Sequence, residues 1–364
     1  MDLKDFLVPA SEVARRTGPQ DRIVLSSRVR LARNLRGFSF PGWAKKPERV
    51  QLYERVAAAV TSLPSLQGCF CDTMDQLSTL EKQLLVERHL ISREHAAKST
   101  GSGVVLNREE TFCLMINEED HLRMQSLRPG LQFRQAWAEL DALDTELESR
   151  LEYAFHPRLG YLTACPTNVG TGIRVSAMLH LPGLVLTEQI NGVVQSVNKL
   201  GLAVRGLYGE GTEALGNVFQ VSNQMTLGES EQTILEKLDK VLRQIIELEE
   251  NARATLIEKN PKMVYNHIGR AYGILANAHI IASKEAMNML SLMRLGVDLG
   301  MFPGVDRSLT DELFLLIQPG HLQLLHQEKL QAEERDILRA DLIRNRLKTV
   351  SRPGPPLPST GPGG

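Results

Sequence analysis

The chain lacks several features that would fix its class at once. Neither sign of charge is in excess: 42 Lys and Arg stand against 43 Asp and Glu over 364 residues, a formal net charge of −1. Bulk basicity therefore does not direct it to nucleic acid or to an anionic membrane surface. No apolar run reaches the roughly 18 residues that mark a membrane-spanning helix. The opening residues, Met1-Asp2-Leu3-Lys4-Asp5, have no basic region leading into an apolar core and do not read as a secretory signal. Cysteine is scarce: Cys69, Cys71, Cys113 and Cys165 form no CxxC pair. That excludes a dense disulfide framework, gives no sign of structural zinc, and fits a reducing cytoplasm. Cys69 and Cys71 read as alternating strand residues. No internal repeat is present.

What is present suits a soluble globular protein, with 42% hydrophobic and 23% charged residues in a chain long enough for two domains. Residues 1–255 mix strand-like and helix-like patterns. Residues 256–352 are almost purely helical in pattern, and the Pro/Gly/Ser-rich tail 353–364 is expected to be disordered. Ser78-Thr79-Leu80-Glu81 fits a capping box that opens a helix running to His89, and Ser308-Leu309-Thr310-Asp311 fits a second one. The second helix is expected to reach Gln318 and to be broken by Pro319-Gly320. Thr111 to Asn117 alternates as a strand, with Phe112, Leu114 and Ile116 on one face. Gly172 to Leu181 alternates too, placing Arg174 opposite the core-facing Ile173, Val175, Ala177 and Leu179. Apolar residues from Ile234 to Ile246 have helical spacing, which predicts a long amphipathic helix over 231–259 ahead of Pro261.

The most informative stretch is Cys165-Pro166-Thr167-Asn168-Val169-Gly170-Thr171, followed by the strand that carries Arg174. A rigid Cys-Pro start and a Gly-rich turn are a means of bringing backbone close to a phosphate. Arginine suits phosphate because it is permanently charged and binds oxygens in a fork. Arg28 and Arg30 are two apart, hence on one strand face, with Val29 and Leu31 on the other. Arg123, Arg174 and Arg205 come from distant points, and each alone would pass for a surface charge.

Four segments occur in order: Ser26-Ser27-Arg28-Val29-Arg30, Asn117-Glu118-Glu119-Asp120-His121-Leu122-Arg123, the Cys165 heptapeptide, and Arg205-Gly206-Leu207-Tyr208-Gly209-Glu210-Gly211-Thr212. Together they resemble the phosphagen (guanidino) kinases, which phosphorylate a guanidinium nitrogen from ATP. The resemblance implies an α+β fold: a catalytic domain with an antiparallel sheet flanked by helices, followed here by an all-helical C-terminal domain. It implies that Arg28, Arg30, Arg123, Arg174 and Arg205 converge on the phosphates of ATP, with Mg²⁺ bridging phosphates and no direct protein ligand named. Glu119 and Glu210 would each hold a guanidinium nitrogen. A guanidinium has a pKa near 13.8 and a carboxylate one near 4.3, so deprotonation before attack would cost on the order of 13 kcal/mol. A carboxylate therefore aligns the acceptor and takes its proton as the N–P bond forms. Cys165 would lie near the guanidinium as a positioning group, with Thr167 as a hydrogen-bond partner. Gly206, Gly209 and Gly211 make a loop around Glu210 able to close over the substrate. His121 is expected to support the local fold.

Creatine and arginine kinases carry a helical domain before the segment resembling Ser26 to Arg30; here that segment stands near the start. The acceptor pocket is therefore expected to be open, admitting an arginine still attached to a protein. This arrangement resembles the protein-arginine kinases of the family. Arg335-Asp336-Ile337-Leu338-Arg339-Ala340 matches the motif by which they bind phosphoarginine at a second, allosteric site formed by Arg335, Asp336 and Arg339. The same resemblance implies protein substrates with accessible arginine, a McsA-type activator, a Clp ATPase, a heat-shock repressor and a homodimer, with no nucleic acid and no membrane as direct partners. The alternatives are a kinase for free arginine or another small guanidino compound, and an inactive phosphoarginine-binding adaptor.

Overall fold

The computed structural model describes residue 3 and residues 7–206, 214–326 and 330–355. Its centre is an antiparallel eight-stranded sheet. The strands are β1 (Val24–Arg33), β2 (Phe70–Thr73), β3 (Gly103–Leu106), β4 (Phe112–Ile116), β5 (Leu122–Pro129), β8 (Ile173–His180), β9 (Leu202–Gly206) and β10 (Val218–Asn223). The order across the sheet is β2-β3-β4-β5-β1-β8-β10-β9, and β6 (Phe155–His156) pairs with β7 (Gly160–Tyr161) in a separate small ribbon.

One face of the sheet is apolar. Val29 and Leu31 of β1, Ile173, Val175, Ala177 and Leu179 of β8, and Phe219 and Val221 of β10 all join the main core. The helices Lys46–Thr61, Phe133–Glu148, Ile190–Lys199 and Glu231–Lys259 contribute their apolar stripes to it. The opposite face is covered at the β2–β4 end. There Phe70, Val104, Leu106, Cys113 and Met115 pack with Leu84 and Leu85 of the helix Thr79–Glu87. Strand β4 is therefore buried on both faces, where alternation alone gave it one buried face.

The expected helix ends are largely met. Ser78 and Glu81 form the reciprocal capping box, and the long helix runs Glu231–Lys259 with Pro261 starting the next one. The apolar stripe of that helix changes core between Ala252, in the sheet's core, and Leu256, in a second core. This second core is built from Pro261–Asn277, Ser283–Asp298, Ser308–Leu316 and Ala332–Leu347. Ser308 is not an N-cap: the helix cap is Arg307, with no side-chain bond. The Asp306 carboxylate instead accepts from Ser308 N–H at 2.8 Å. Pro319 ends one helix by opening another, Pro319–His326, since a first-turn proline has no amide to lose. The tail is fastened at its beginning, where Pro353 accepts from the Tyr265 hydroxyl at 3.0 Å and Gly354 donates to Met301 O at 2.8 Å.

Buried charges join the two cores. Glu249 of the long helix is fully buried; it accepts from the amides of Gly183 and Leu184, each at 2.9 Å, and from Arg253 Nε at 2.6 Å. Arg253 also pairs with Asp298 at 3.0 Å. Glu249→Ala would leave two amides and a buried guanidinium without their acceptor. The expected cost is about 3–5 kcal/mol in urea denaturation, against under 1 kcal/mol for a surface pair such as Arg36–Glu152.

Candidate active site

Directly opposed residues of an antiparallel pair share a sheet face. Arg30 stands opposite Arg174 of β8 on one side and Gln125 of β5 on the other. Ala32, two residues on, stands opposite Arg123. Arg28 stands opposite Ser176, Ser176 opposite Ser222, and Gln220 of β10 opposite Arg205 of β9. All five arginines singled out in the sequence thus project from the polar face of the sheet, across β5, β1, β8 and β9. The helices that bury the other face leave this part open.

Gathering these cations changes their acidity. Arg28 is pushed down to about 10 by burial, then by Arg123 and Arg174. Arg30 is driven well below the ordinary arginine value by burial and by Arg28, Arg123 and Arg174, with only Glu118 opposing. Its Nε is buried without a hydrogen-bond partner. Arg174 is lowered by burial, then by Arg205 and Arg123. The neutral acceptors present are few: Arg28 donates to Gln220 Oε1 at 3.0 Å and Ser176 Oγ at 3.4 Å, and Arg174 donates to Ser222 Oγ at 3.2 Å. In charge and geometry the row suits a polyanion that brings its own oxygens.

The turn between β4 and β5 separates two glutamates by role. Glu118 is 2% exposed; it pairs with Arg123, accepts from Ser92 Oγ at 2.5 Å, and takes the Glu119 amide at 2.9 Å. Glu119 turns outward, 46% exposed, with Arg123 at 3.8 Å. Burial, then Asp120, raise its pKa, against Arg123. Asp120 Oδ1 accepts from Asn34 Nδ2 and from the Ala164 amide, both at 2.7 Å, tying the residue before Cys165 to the end of β1. His121 Nδ1 accepts from the Leu35 amide at 2.9 Å, so Nε2 carries the proton and donates to Ser39 O at 2.9 Å. The histidine is a structural brace.

Cys165 Sγ lies 3.0 Å from Thr167 Oγ1. Cys165 and Glu119 both lie within electrostatic reach of Arg174, which puts thiol, carboxylate and guanidinium in one neighbourhood. Thr226 Oγ1 holds the loop by donating to Val169 O at 2.8 Å. Arg33 fastens its end, donating to Thr171 O at 2.8 Å while its guanidinium lies 3.6 Å from the Tyr161 ring centroid. Glu210 and its neighbouring glycines Gly209 and Gly211 lie outside the described residues. Among the described residues no cluster of three or more His, Cys, Asp or Glu is arranged to hold a metal ion.

Sequence reasoning missed Glu118 as the partner of Arg123, Gln220 and Ser176 as partners of Arg28, and His89. His89 has a left-handed backbone, φ 60°, and burial with the Arg28 charge lowers its pKa to about 4, so it is neutral near pH 7. β-pairing brings Ser176 and Gln220 to the row and a left-handed turn brings His89, while Glu118 differs from its neighbour Glu119 in being buried.

The triad of the helical region lies apart from this face, on Ala332–Leu347. Arg339 is 1% exposed, donates to Ile317 O and Ile281 O, each at 3.0 Å, and pairs with Asp336. Arg335 donates to Leu330 O at 2.7 Å.

An open sheet face of convergent arginines beside a carboxylate and a thiol is the arrangement of a guanidino phosphotransferase, and the comparisons agree. The family model "ATP:guanido phosphotransferase, C-terminal catalytic domain" matches residues 51–252, and "Protein-arginine kinase McsB C-terminal domain" matches residues 261–356. Protein-arginine kinases from Halothermothrix orenii and Geobacillus sp. strain WCH70 are 47% and 48% identical, over 95% and 96% of this chain and 99% and 97% of theirs. A lombricine kinase structure aligns at TM-score 0.57 and 27% identity, covering 68% of this chain and 72% of that one. A duplicated taurocyamine kinase from Schistosoma mansoni aligns at TM-score 0.58 and 22% identity over 84% of this chain and 49% of that one, and shows the fold alone. The chain belongs to the ATP:guanido phosphotransferase family, within its protein-arginine kinase branch.

The raised pKa of Glu119 sets an acid limit. Its carboxylate form is present above that pKa and lost as pH falls through it. The acid limb of kcat/KM is expected above the ordinary glutamate value of about 4.3. A pH–rate profile checks this, with Glu119→Gln losing the limb along with the activity.

Proposed function

We propose that this chain is an ATP-dependent protein-arginine kinase, moving the γ-phosphoryl group of ATP to a guanidinium nitrogen of arginine side chains in proteins. The observation that carries the reading is the row of arginines with few acceptors of its own, beside an outward Glu119. Arg28, Arg30, Arg123, Arg174 and Arg205 hold the polyphosphate and neutralise the charge that spreads over the transferring group. Glu119 and Glu210 fix two guanidinium nitrogens and leave the third facing phosphorus. The N–P bond forms as the bridging O–P bond breaks, ADP leaves, and the nitrogen's proton passes to a carboxylate. Glu118 acts through Arg123, holding it in the row. Cys165 positions the acceptor and is not a nucleophile.

Marking of proteins for a Clp-type protease and modification of a heat-shock repressor, with a McsA-type activator, belong to this proposal by likeness to the family. So does a phosphoarginine site at Arg335, Asp336 and Arg339. Arg339 holds the carbonyls of Ile317 and Ile281 through Nε and Nη1, so a phosphoryl oxygen there would be met by Nη2 or would displace one of these carbonyls. Free arginine kinase activity remains the competing outcome of the test.

The test supplies MgATP with an unfolded casein-like protein or with free arginine, and locates acid-labile phosphate. Phosphate on protein arginine is expected, with turnover falling by a factor of about 10² to 10⁴ in Glu119→Gln and in Glu210→Gln while ATP binding persists. Phosphate only on free arginine, or on Ser, Thr or Lys, would refute the reading.

A further inference from the structure

Exposed apolar residues gather beside the Cys165 loop. Phe155 and Leu159, from the β6–β7 ribbon and its turn, and Leu227, from the segment after β10, line one groove of about 280 Å³. All three are exposed, and so is Met225, two residues before Leu227. Single apolar residues on a surface are ordinary, whereas a set that shares a groove is a contact surface in search of a partner. The volume falls just below the range of small-molecule sites, which suits one or two side chains.

The groove is continuous with the acceptor side of the site. Gly170 and Thr171, which close the Cys165 loop, line it, and so does Thr226. Thr226 Oγ1 lies 3.3 Å from Thr167 O, and Thr167 Oγ1 lies 3.0 Å from Cys165 Sγ. These two contacts put Cys165 Sγ within about 10 Å of the groove, the span of three extended residues. The walls are preformed. A Cβ at Gly160 would stand 2.4 Å from Gly170 O, so the ribbon packs directly on the loop. The Tyr161 ring is edge-on to Phe155, with centroids 5.3 Å apart. At the rim Glu229 and Glu231 outnumber Arg158, a balance that suits a segment carrying arginine.

We infer that this groove holds an apolar side chain of the protein substrate, a few residues from the acceptor arginine in an extended, unfolded segment. The inference rests on the reading of the chain as a protein-arginine kinase with Cys165 on the acceptor side. A free guanidino compound has nothing to place in the groove. A folded protein keeps most of its large apolar residues inside, and an unfolded one exposes them beside its arginines. The groove therefore favours unfolded chains over folded surfaces and over free arginine. Its contact is the same before and during phosphoryl transfer, so it acts on KM and leaves kcat alone.

The experiment supplies the full chain with MgATP and unstructured Gly/Ser peptides that contain one arginine. A single leucine is moved through the four positions on each side of it, and kcat and KM for phosphoarginine formation are measured. An unfolded casein-like protein serves as the control substrate. Leucine at one or two of these positions is expected to lower KM about three- to tenfold against the leucine-free peptide, with kcat unchanged. Leu227→Asn and Leu159→Asn, both at exposed positions, are expected to remove that gain. Each is expected to leave the leucine-free peptide and the KM for ATP unchanged. Leu227→Lys is expected to move the preference to a peptide with glutamate at the same position. If neither the peptides nor the control protein gains phosphate on arginine, the protein-arginine kinase reading fails and the inference with it. If the control protein is phosphorylated on arginine while leucine has no effect at any position, the inference alone is overturned. Survival of the leucine gain in both Leu→Asn variants overturns it as well. A changed oligomeric state of Leu227→Asn in light scattering, with the gain intact, would show that the groove is a contact between copies of the chain.

Discussion

The register of β1 against β8 sets Arg30 directly opposite Arg174, and the rest of the site is organised around the repulsion that follows. Like charges on opposed strands disfavour folding, and burial adds to the cost. The protein compensates in part. Glu118 pairs with Arg123, Gln220 accepts from Arg28, and the apolar face of the same strands is packed against four helices. It does not compensate fully: Arg30 Nε is left without a partner. Under the proposed function an ATP polyphosphate would supply the missing negative charge, so the repulsion within the row would become binding energy for the nucleotide.

The same sheet separates positioning from chemistry. Asp120 and His121 are spent on holding β1's end, the Cys165 loop and the segment at Ser39 in register. That leaves Glu119, alone among the three consecutive acids of its turn, turned outward. The helical region is bound to this scaffold by buried charge as well as by apolar packing. Arg294 donates to Arg22 O at 2.9 Å and Asp21 O at 3.1 Å, and pairs with Asp311 at 2.7 Å. Such contacts orient one region on the other, and breaking them singly leaves uncompensated charges.

Much of this was legible in the sequence. The two-residue spacing of Arg28 and Arg30 fixed their common face, and alternation in 173–180 separated Arg174 from the core. The long helix over 231–259 followed from apolar spacing and Pro261. The partners of the arginines were not legible, because Gln220, Ser176 and His89 reach the row only through strand pairing and a left-handed turn. Glu118 looked like part of an acidic turn; only its burial beside Arg123 distinguishes it from Glu119. The capping box at Ser308 misled because a carboxylate two residues earlier, Asp306, takes the Ser308 amide. The spacing of Arg335 and Arg339 showed a shared helix face, but not that Arg339 also donates to two backbone carbonyls.

Under the proposed function the arginine row is held at a cost to the ligand-free protein, which polyphosphate would offset. Arg30→Met tests it most directly, since the straight apolar chain keeps the volume along the strand and removes one like charge. Urea denaturation and ATP titration are measured on the same preparations. The account predicts that the variant is more stable than wild type without ligand, binds ATP far more weakly, and loses the stabilisation that ATP confers on wild type. A variant less stable without ligand, with ATP affinity intact, would contradict it.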